Sequence, residues 1–237
     1  MLDTASSIAH RPVRDDRIAA GTSKAPDPRR ADDRSPACVH VVDDDPTIRS
    51  ALTRLLEVSG YEVRAFDTAA SFLAQQGATT QGCLILDVAM PEVDGLTLQE
   101  LLAERGSQLP IIFLTGRSDV PMCARAMKLG ALDFLTKPVD EALLLPAVDR
   151  ALALHRTITQ DLERRSLTAQ RLDSLTPRER EVLLLVATGR LNKQIAGDLG
   201  TAEKTVKVHR ARAMEKMQVR SVAELVRDLE RAGRSPG

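Results

Sequence analysis

The sequence predicts a doubly wound parallel α/β sheet of five strands, followed by a separate all-α helix-turn-helix unit. The first prediction rests on short apolar runs that alternate five times with helix-like segments between residues 38 and 154, a pattern typical of parallel strands joined by helices. The second rests on a change to a purely helical period from residue 173 onward. A chain of 237 residues has room for two small domains of these kinds.

The elements of the α/β segment follow from its apolar runs and from the breakers between them. Gly60 and Gly130 directly follow two of the helical segments, where glycines commonly end helices. We expect strands near residues 38–42, 61–65, 82–86, 110–114 and 132–135. We expect helices near residues 46–59, 68–76, 94–105, 119–129 and 140–154.

Two polar segments flank this α/β domain, which we expect to span residues 37–154. Residues 1–36 are rich in Arg, Asp, Ala and Pro and have neither a helical nor a strand period, so we expect a disordered tail. Residues 155–172 are polar and helix-prone, which favours a helical linker that can continue the fifth helix. The helical domain then occupies residues 173–237.

Capping signals mark the starts and ends of the C-terminal helices. Thr176 can cap the first helix, Pro177 suits its first position, and Glu179 can complete a capping box. Gly189 and Gly200 are expected to end the first two helices. Further helices are expected over residues 192–199, over 201–217 and from 221 onward. Four short helices with glycine-containing turns are typical of a helix-turn-helix fold.

Charge is divided unevenly along the chain, although the whole sequence carries 33 basic and 33 acidic residues. Residues 38–150 hold 9 Lys/Arg and 16 Asp/Glu, whereas residues 173–237 hold 13 Lys/Arg and 9 Asp/Glu. An acidic half joined to a basic half suggests a metal-binding or charge-sensing module tied to a polyanion-binding one. Ordinary solvated faces would give the same mild contrast, so charge alone does not decide between the two explanations.

Cysteine usage and hydropathy bear on where the protein resides. The three cysteines form no CxxC pair, so neither a disulfide framework nor a zinc site is indicated. No apolar run is long enough to span a membrane, and the N-terminus lacks the hydrophobic core of a signal peptide. We therefore expect a cytoplasmic protein without a membrane partner.

Polar residues stand at the ends of four predicted strands. The run Asp43-Asp44-Asp45 follows the first strand, Asp87 follows the third, Thr115 follows the fourth, and Lys137 comes shortly after the fifth. Because the carboxyl ends of parallel strands meet at one edge of a sheet, these side chains should share one crevice. Carboxylates, a hydroxyl and an ammonium together suit magnesium-assisted phosphoryl chemistry. Taken singly, each is explained as well by a helix cap, a turn residue or a solvated lysine.

These residues, in this order, resemble the motifs of response-regulator receiver domains, which have a flavodoxin-like fold. The resemblance covers about residues 38–150 and implies that Asp87 accepts a phosphoryl group. It also implies that Asp44 and Asp87 ligate Mg²⁺ directly, together with the backbone carbonyl of Ala89, while Asp43 acts mainly through water. The matching motifs are Val42-Asp43-Asp44, Asp87 followed by Met90-Pro91, Thr115, and Lys137-Pro138.

The same resemblance assigns roles to the remaining strand-end residues. Thr115 and Lys137 are expected to bind phosphoryl oxygens and to stabilise charge during transfer, with Lys137-Pro138 as a cis peptide. Thr115 and Phe134 are expected to act as the switch. Their movement would remodel the face formed by roughly residues 119–154, which mediates dimerisation or domain docking in this family.

Two neighbours of the motifs differ from what the resemblance leads us to expect. Ala89, two residues after Asp87, is small where a larger side chain is common, and Arg117 lies two residues after Thr115. Side chains at these positions shield or expose the phosphoryl group, so both residues bear on its lifetime.

A second class of protein fits part of the pattern. Asp43-x-Asp45-x-Thr47 also resembles the nucleophile motif of haloacid-dehalogenase-type phosphatases, which likewise use a strand-end Thr or Ser and a Lys. That class needs a later acidic pair for magnesium and usually a cap domain, whereas the later part of this chain is helical and basic. It would also leave Asp87 without a role.

The helical segment resembles the LuxR-type helix-turn-helix of FixJ/NarL response regulators over about residues 173–235, with matches in Leu175–Leu183, Asn192–Ala196 and Thr205–His209. The resemblance implies that the helix over 202–217 lies in the major groove of double-stranded DNA. Ala211 departs from relatives that carry a basic residue there. The candidate DNA contacts are Asn192, Lys193, Thr205, Lys207, Val208, Arg210, Arg212 and Arg220.

Together the two resemblances imply a phosphorylation-controlled transcription regulator rather than an enzyme. The expected partners are a sensor histidine kinase, promoter DNA, a second copy of the chain when phosphorylated, and RNA polymerase, with Mg²⁺ as the cofactor. The alternative is a receiver whose basic helices bind protein or RNA. The motifs and the charge of the helix over 202–217 argue against that alternative.

Overall fold

The computed structural model describes residues 38–75, 80–116 and 120–233. The predicted tail over 1–36 and Arg117 lie outside the described residues. The strands are β1 (Cys38–Val42), β2 (Glu62–Phe66), β3 (Cys83–Asp87), β4 (Ile111–Thr115) and β5 (Asp133–Thr136). The helices are α1 (Pro46–Val58), α2 (Ala69–Gln75), α3 (Gly95–Glu104), α4 (Val120–Lys128), α5 (Glu141–Asp173), α6 (Pro177–Ala187), α7 (Asn192–Asp198), α8 (Glu203–Met217) and α9 (Val222–Arg231).

The five strands form one parallel sheet in the order β2-β1-β3-β4-β5. All residues of β1, β3 and β4 are buried, because these central strands are covered on both faces. This is why they appear in the sequence as continuous apolar runs rather than as alternating ones.

Helices cover both faces of the sheet and create two hydrophobic cores. Leu56 of α1 and Val148 of α5 belong to the core on one face. Phe72 of α2, Leu98 of α3 and Ala126 of α4 belong to the core on the other. The doubly wound α/β fold predicted from sequence is therefore confirmed.

Helix α5 is longer than its sheet-covering part. The predicted helix over 140–154 and the predicted linker over 155–172 form one continuous helix of 33 residues, Glu141–Asp173, which is about 50 Å long. Residues 160–167 are all exposed, while Leu172 near the end is buried among the C-terminal helices. One helix thus contributes side chains to a sheet-covering core and to the helical core.

Helices α6 to α9 enclose a separate aliphatic core that includes Leu183, Ile195, Val206 and Leu225. The capping box predicted at Thr176 is present, with each partner bonded to the other's backbone N–H. Gly200 between α7 and α8 has a φ of 61°, a conformation that glycine adopts without strain. Within the part of the chain that the structure describes, no helix is both long and apolar enough to cross a membrane.

Candidate functional site

One ammonium joins two carboxylates at the carboxyl edge of the sheet. Lys137 Nζ lies 2.7 Å from Asp43 Oδ2 and 2.9 Å from Asp87 Oδ2. The side chains of Asp43, Asp87 and Lys137 are 0%, 6% and 14% exposed. Residues far apart in sequence therefore converge here, as the strand-end pattern predicts.

Asp44 extends this pair into a cluster of three carboxylates. One carboxylate oxygen each of Asp43, Asp44 and Asp87 lies within 4.8 Å of the other two. Asp43 Oδ1 accepts a hydrogen bond of 2.9 Å from the backbone N–H of Asp45, while its Oδ2 faces Lys137. Asp44 is exposed, so the cluster is open to solvent on its side. Crowded carboxylates of this kind attract a hard divalent cation.

The ionisation of Asp87 and Lys137 reflects their burial and their contact. Burial raises the pKa of Asp87 above its usual value, and the hydrogen bond from Lys137 only partly opposes this effect. Burial acts to lower the pKa of Lys137, but its hydrogen bonds to Asp43 and Asp87 outweigh burial and raise the pKa. Lys137 is therefore a charged ammonium at neutral pH, held directly against the Asp87 carboxylate.

Thr115 and Phe134 lie on β4 and β5, the two strands that follow β3 toward one edge of the sheet. Asp87 pairs in register with Leu114, so Thr115 stands one residue further along β4, where it is buried. Its carbonyl accepts a 2.7 Å hydrogen bond from the N–H of Lys137, and the Lys137-Pro138 peptide is cis, as the resemblance implies. Phe134 on β5 is half-buried, with its ring centroid 5.5 Å from that of Phe113.

Asp45 serves as a helix cap. Its Oδ1 accepts hydrogen bonds from the backbone N–H groups of Thr47 at 2.7 Å and Ile48 at 3.4 Å, and the Thr47 bond is the main reason that the pKa of Asp45 is lowered. The start of α1 is therefore sufficient to explain an aspartate at position 45.

Arg49 belongs to the site although no sequence motif pointed to it. Its Nη1 donates hydrogen bonds to the backbone carbonyls of Asp43 at 2.7 Å and Asp44 at 3.4 Å. The only signal in the sequence is an arginine early in the predicted first helix, six residues after Asp43. Ala89 is exposed, and its N–H is 3.4 Å from Asp87 Oδ1, so no bulky side chain covers the Asp87 carboxylate at that position.

The exposed face of α8 carries three of the residues singled out from sequence. Lys207, Val208 and Ala211 are exposed and share this face through their spacing of three and four residues. Lys207 Nζ is 3.0 Å from Glu203 Oε1 one turn earlier. Val208 is 42% exposed, a large value for an apolar side chain on a helix. A mixed basic and apolar face of this kind suits the edges of bases in a major groove.

Arg210 lies apart from this face because it contacts α7. Its Nη1 donates a 3.1 Å hydrogen bond to Asn192 Oδ1, so two candidate DNA contacts are joined to each other. The remaining candidates are all exposed, namely Lys193, Thr205, Arg212 and Arg220. Basic side chains at such positions can contact backbone phosphates.

Both halves of the chain match known protein families. Residues 39–149 match the family described as response regulator receiver domain. Residues 173–228 match the family described as bacterial regulatory proteins, luxR family.

Relatives and solved structures span both halves at once. The chain is 46% identical over 193 residues to the response regulator protein TmoT of Ectopseudomonas mendocina, covering 81% of this chain and 88% of TmoT. It is 43% identical over 198 residues to the transcriptional regulatory protein FixJ of Azorhizobium caulinodans, covering 84% and 94%.

The solved structure of the response regulator StyR aligns with a TM-score of 0.76 at 46% identity, covering 83% of this chain and 99% of StyR. Full-length FixJ from B. japonicum aligns with a TM-score of 0.53 at 38% identity, covering 84% and 98%. Each of these two alignments covers more than four fifths of this chain, so they span the α/β part and the helix-turn-helix part together. The chain belongs to the two-component response regulators that act as transcription regulators through a receiver domain and a LuxR-type DNA-binding domain.

Proposed function

We propose that a partner histidine kinase phosphorylates Asp87 and that the phosphorylated chain dimerises and binds promoter DNA through α8. The observation that carries this proposal is the position of Lys137, whose ammonium lies 2.9 Å from Asp87 and 2.7 Å from Asp43. A carboxylate nucleophile next to a fixed positive charge is the arrangement that phosphoryl transfer needs.

The three clustered carboxylates fit Mg²⁺ as the cofactor. Their oxygens lie within 4.8 Å of one another, and carboxylate oxygens are ligands that Mg²⁺ prefers. Asp44 and Asp87 would bind the ion directly, with the carbonyl of Ala89, while Asp43 would act through water. When bound, the ion would neutralise charge on the transferred phosphoryl group.

The chain's own residues account for the transfer step. An Asp87 carboxylate oxygen attacks phosphorus, the bond from phosphorus to the kinase histidine breaks, and an acyl phosphate forms while the imidazole leaves. Lys137 stabilises the negative charge on the phosphoryl oxygens during transfer, and the Thr115 hydroxyl binds one of these oxygens afterwards.

The switch to the active form would run through Thr115 and Phe134. The phosphoryl group adds up to about two negative charges beside Thr115. Phe134 is only half-buried, so it can move further into the core when Thr115 shifts. This movement would remodel the face formed by α4, β5 and the first part of α5, and would favour dimerisation. A nearly complete shift between two states requires a preference of about 5.5 kcal/mol.

The output would be sequence-specific DNA binding in the cytoplasm, with RNA polymerase as a further partner. Lys207 and Val208 would face base edges, because both lie on the exposed side of α8. Asn192 and Arg210, which are hydrogen-bonded to each other, would contact phosphates together with Lys193.

Thr205, Arg212 and Arg220 are exposed and would add further contacts to the DNA. The domain limits proposed for this output are a tail over 1–36, a receiver domain over 37–154, a linker over 155–172 and a DNA-binding domain over 173–237.

Footprinting on genomic promoter fragments, with and without a small acyl-phosphate donor, tests this proposal. Wild type should protect a defined site more strongly after phosphorylation, and Asp87→Asn should neither take up the phosphoryl label nor respond to the donor. Glu62→Gln is the control, because Glu62 is an exposed carboxylate on another strand, β2, of the same sheet. Label retained in Asp87→Asn but lost in Asp43→Asn would overturn the assignment of the acceptor.

A further inference from the structure

We propose that Arg49 is a positioning residue for magnesium, which holds the loop after β1 so that its carboxylates reach the ion. The inference rests on the proposed function, in which Mg²⁺ binds at the carboxylates of Asp44 and Asp87. Arg49 is not proposed as a ligand of the ion, because the hydrogen bonds from its guanidinium to the loop go to backbone carbonyls.

Arg49 is half-buried on the first turns of α1 and reaches back over the loop that precedes this helix. Its Nη1 lies 2.7 Å from the carbonyl oxygen of Asp43 and 3.4 Å from that of Asp44. The backbone N–H of Arg49 also donates to the carbonyl of Asp45 at 3.0 Å. Three successive carbonyls of the loop are therefore bonded to this one residue.

The remaining bonds in the loop complete a rigid turn. The N–H of Asp45 donates to Asp43 Oδ1 at 2.9 Å, and the Asp45 carboxylate caps α1 through Thr47. Asp43, directly after β1, is tied to the neighbouring strand β2, because its N–H donates to the carbonyl of Phe66 at 3.2 Å. Arg49 thus holds the backbone carbonyl of Asp44, while the exposed Asp44 side chain projects from the same turn.

The choice of carbonyls as partners matters for the charge at the site. A guanidinium beside clustered carboxylates commonly forms a bidentate pair with one of them, and such a pair would compete with a metal ion. Here the two guanidinium hydrogen bonds to the loop go to backbone oxygens instead. Arg49 therefore satisfies polar groups beyond the end of β1 and leaves the negative charge of the cluster available for the cation.

Groups that orient metal ligands typically contribute 10- to 100-fold to metal affinity. We expect Arg49→Met to weaken the affinity for Mg²⁺ about tenfold, at the lower end of that range, because Arg49 acts on a backbone that other bonds also hold. Arg49→Lys should lie between wild type and Arg49→Met, since an ammonium can reach one carbonyl but lacks the planar fork. The phosphorylation rate at saturating Mg²⁺ should stay near that of wild type.

Isothermal titration calorimetry of the full-length chain with magnesium chloride measures the affinity, and circular dichroism establishes that each variant is folded. Arg54→Met is the matched control, because Arg54 is exposed on the same helix. The labelling rate with a small acyl phosphate is then followed against Mg²⁺ concentration. A shift in half-saturation with an unchanged maximal rate, in Arg49→Met but not in Arg54→Met, supports the positioning role.

Three results would count against the inference or its basis. An affinity of Arg49→Met and Arg49→Lys within twofold of wild type overturns the positioning role and leaves the metal site standing. Equal weakening in Arg54→Met assigns the effect to net charge and also overturns it. If wild type itself binds no Mg²⁺, the proposed metal site fails. If Arg49→Met does not fold, the Mg²⁺ affinity of Arg49→Lys compared with that of wild type decides the positioning role in the same way.

Discussion

Lys216 Nζ, near the end of α8, lies 2.6 Å from Glu179 Oε2 in the first turn of α6. The same ammonium is 3.3 Å from the carbonyl of Ser174, just past α5, and the same carboxylate oxygen accepts from the N–H of Thr176 at 2.9 Å. This ion pair therefore joins the end of α5, the start of α6 and the end of α8.

The contact between Glu179 and Lys216 predicts a pH dependence of stability. The hydrogen bond from Lys216, followed by that from the Thr176 N–H, lowers the pKa of Glu179 from 4.5 to about 2. Because the pKa is lower in the folded state, the stabilisation is complete above pH 4.5 and is lost as the pH falls toward about 2. Glu179→Gln keeps the capping box but has no carboxylate to titrate. Its free energy of unfolding should therefore fall less than that of wild type as the pH drops from 4.5 toward about 2.

Chemical unfolding of the full chain at several pH values between 5 and 2 measures this difference. Glu181→Gln is the control, because Glu181 lies on the same helix and its pair with Arg178 is exposed. Parallel curves for wild type and Glu179→Gln across the window would contradict the prediction.

A close approach between α3 and β3 predicts that Gly95 tolerates no side chain. A Cβ at Gly95 would lie 2.4 Å from the carbonyl oxygen of Asp87 and 3.0 Å from Cε1 of Phe113. Gly95→Ala must push α3 away from the strand end, so it should lower the free energy of unfolding by about 1–3 kcal/mol. Gly197→Ala, which meets no atom within 4 Å, should be neutral or stabilising by about 0.5–1 kcal/mol in the same denaturant titration. Equal stability of the two variants would refute this explanation.

Local patterns in the sequence predict most of this fold and the site at its edge. Apolar runs locate all five strands, and the convergence of Asp43, Asp87 and Lys137 follows from parallel topology alone. Four of the strands end one residue later than predicted, and in three of them the hydrogen-bond ladder continues through a polar terminal residue. Asp87 and Thr115 are examples, since both still belong to their strands.

What the sequence did not predict depends on contacts between distant residues or on backbone atoms. Arg49 binds carbonyl oxygens, which every residue possesses, so no motif marks its partners. The partner of Glu179 lies 37 residues away on another helix, and only packing of α6 against α8 brings the two together. The sequence did not decide whether the polar segment over 155–172 continues α5 or is a separate linker, because both have the same composition.

The position of Lys137 predicts a large effect on phosphoryl transfer. Lys137→Met removes the ammonium that contacts Asp43 and Asp87. This variant retains Asp87, but its labelling by a small acyl phosphate at saturating Mg²⁺ should be about 10²–10³-fold slower than that of wild type. Burial raises the pKa of Asp87 and the hydrogen bond from Lys137 partly opposes this effect, so loss of the bond should raise the pKa further and move the acid limb of the rate profile to higher pH. Lys128→Met, at an exposed position on α4, should label at the wild-type rate. A wild-type rate and pH profile in Lys137→Met would contradict the assigned role.

The two kinds of residue on the DNA-binding surface predict two different responses to salt. Each phosphate contact contributes about −0.9 to the slope of log affinity against log salt concentration. Lys193→Gln, at an exposed basic position, should make this slope shallower by roughly that amount on specific and unrelated DNA alike. Val208→Ala should keep the slope and reduce the preference for the specific site, because Val208 adds apolar contact without charge.

Mobility-shift titrations at several salt concentrations separate these effects, with Arg227→Gln on α9 as an exposed basic control that should leave both quantities unchanged. The comparison distinguishes backbone contacts from base contacts because only the former release counterions. If Lys193→Gln and Val208→Ala changed the slope equally, the exposed face of α8 would not be the surface that reads the bases. A slope near zero in wild type would instead favour an output through protein binding.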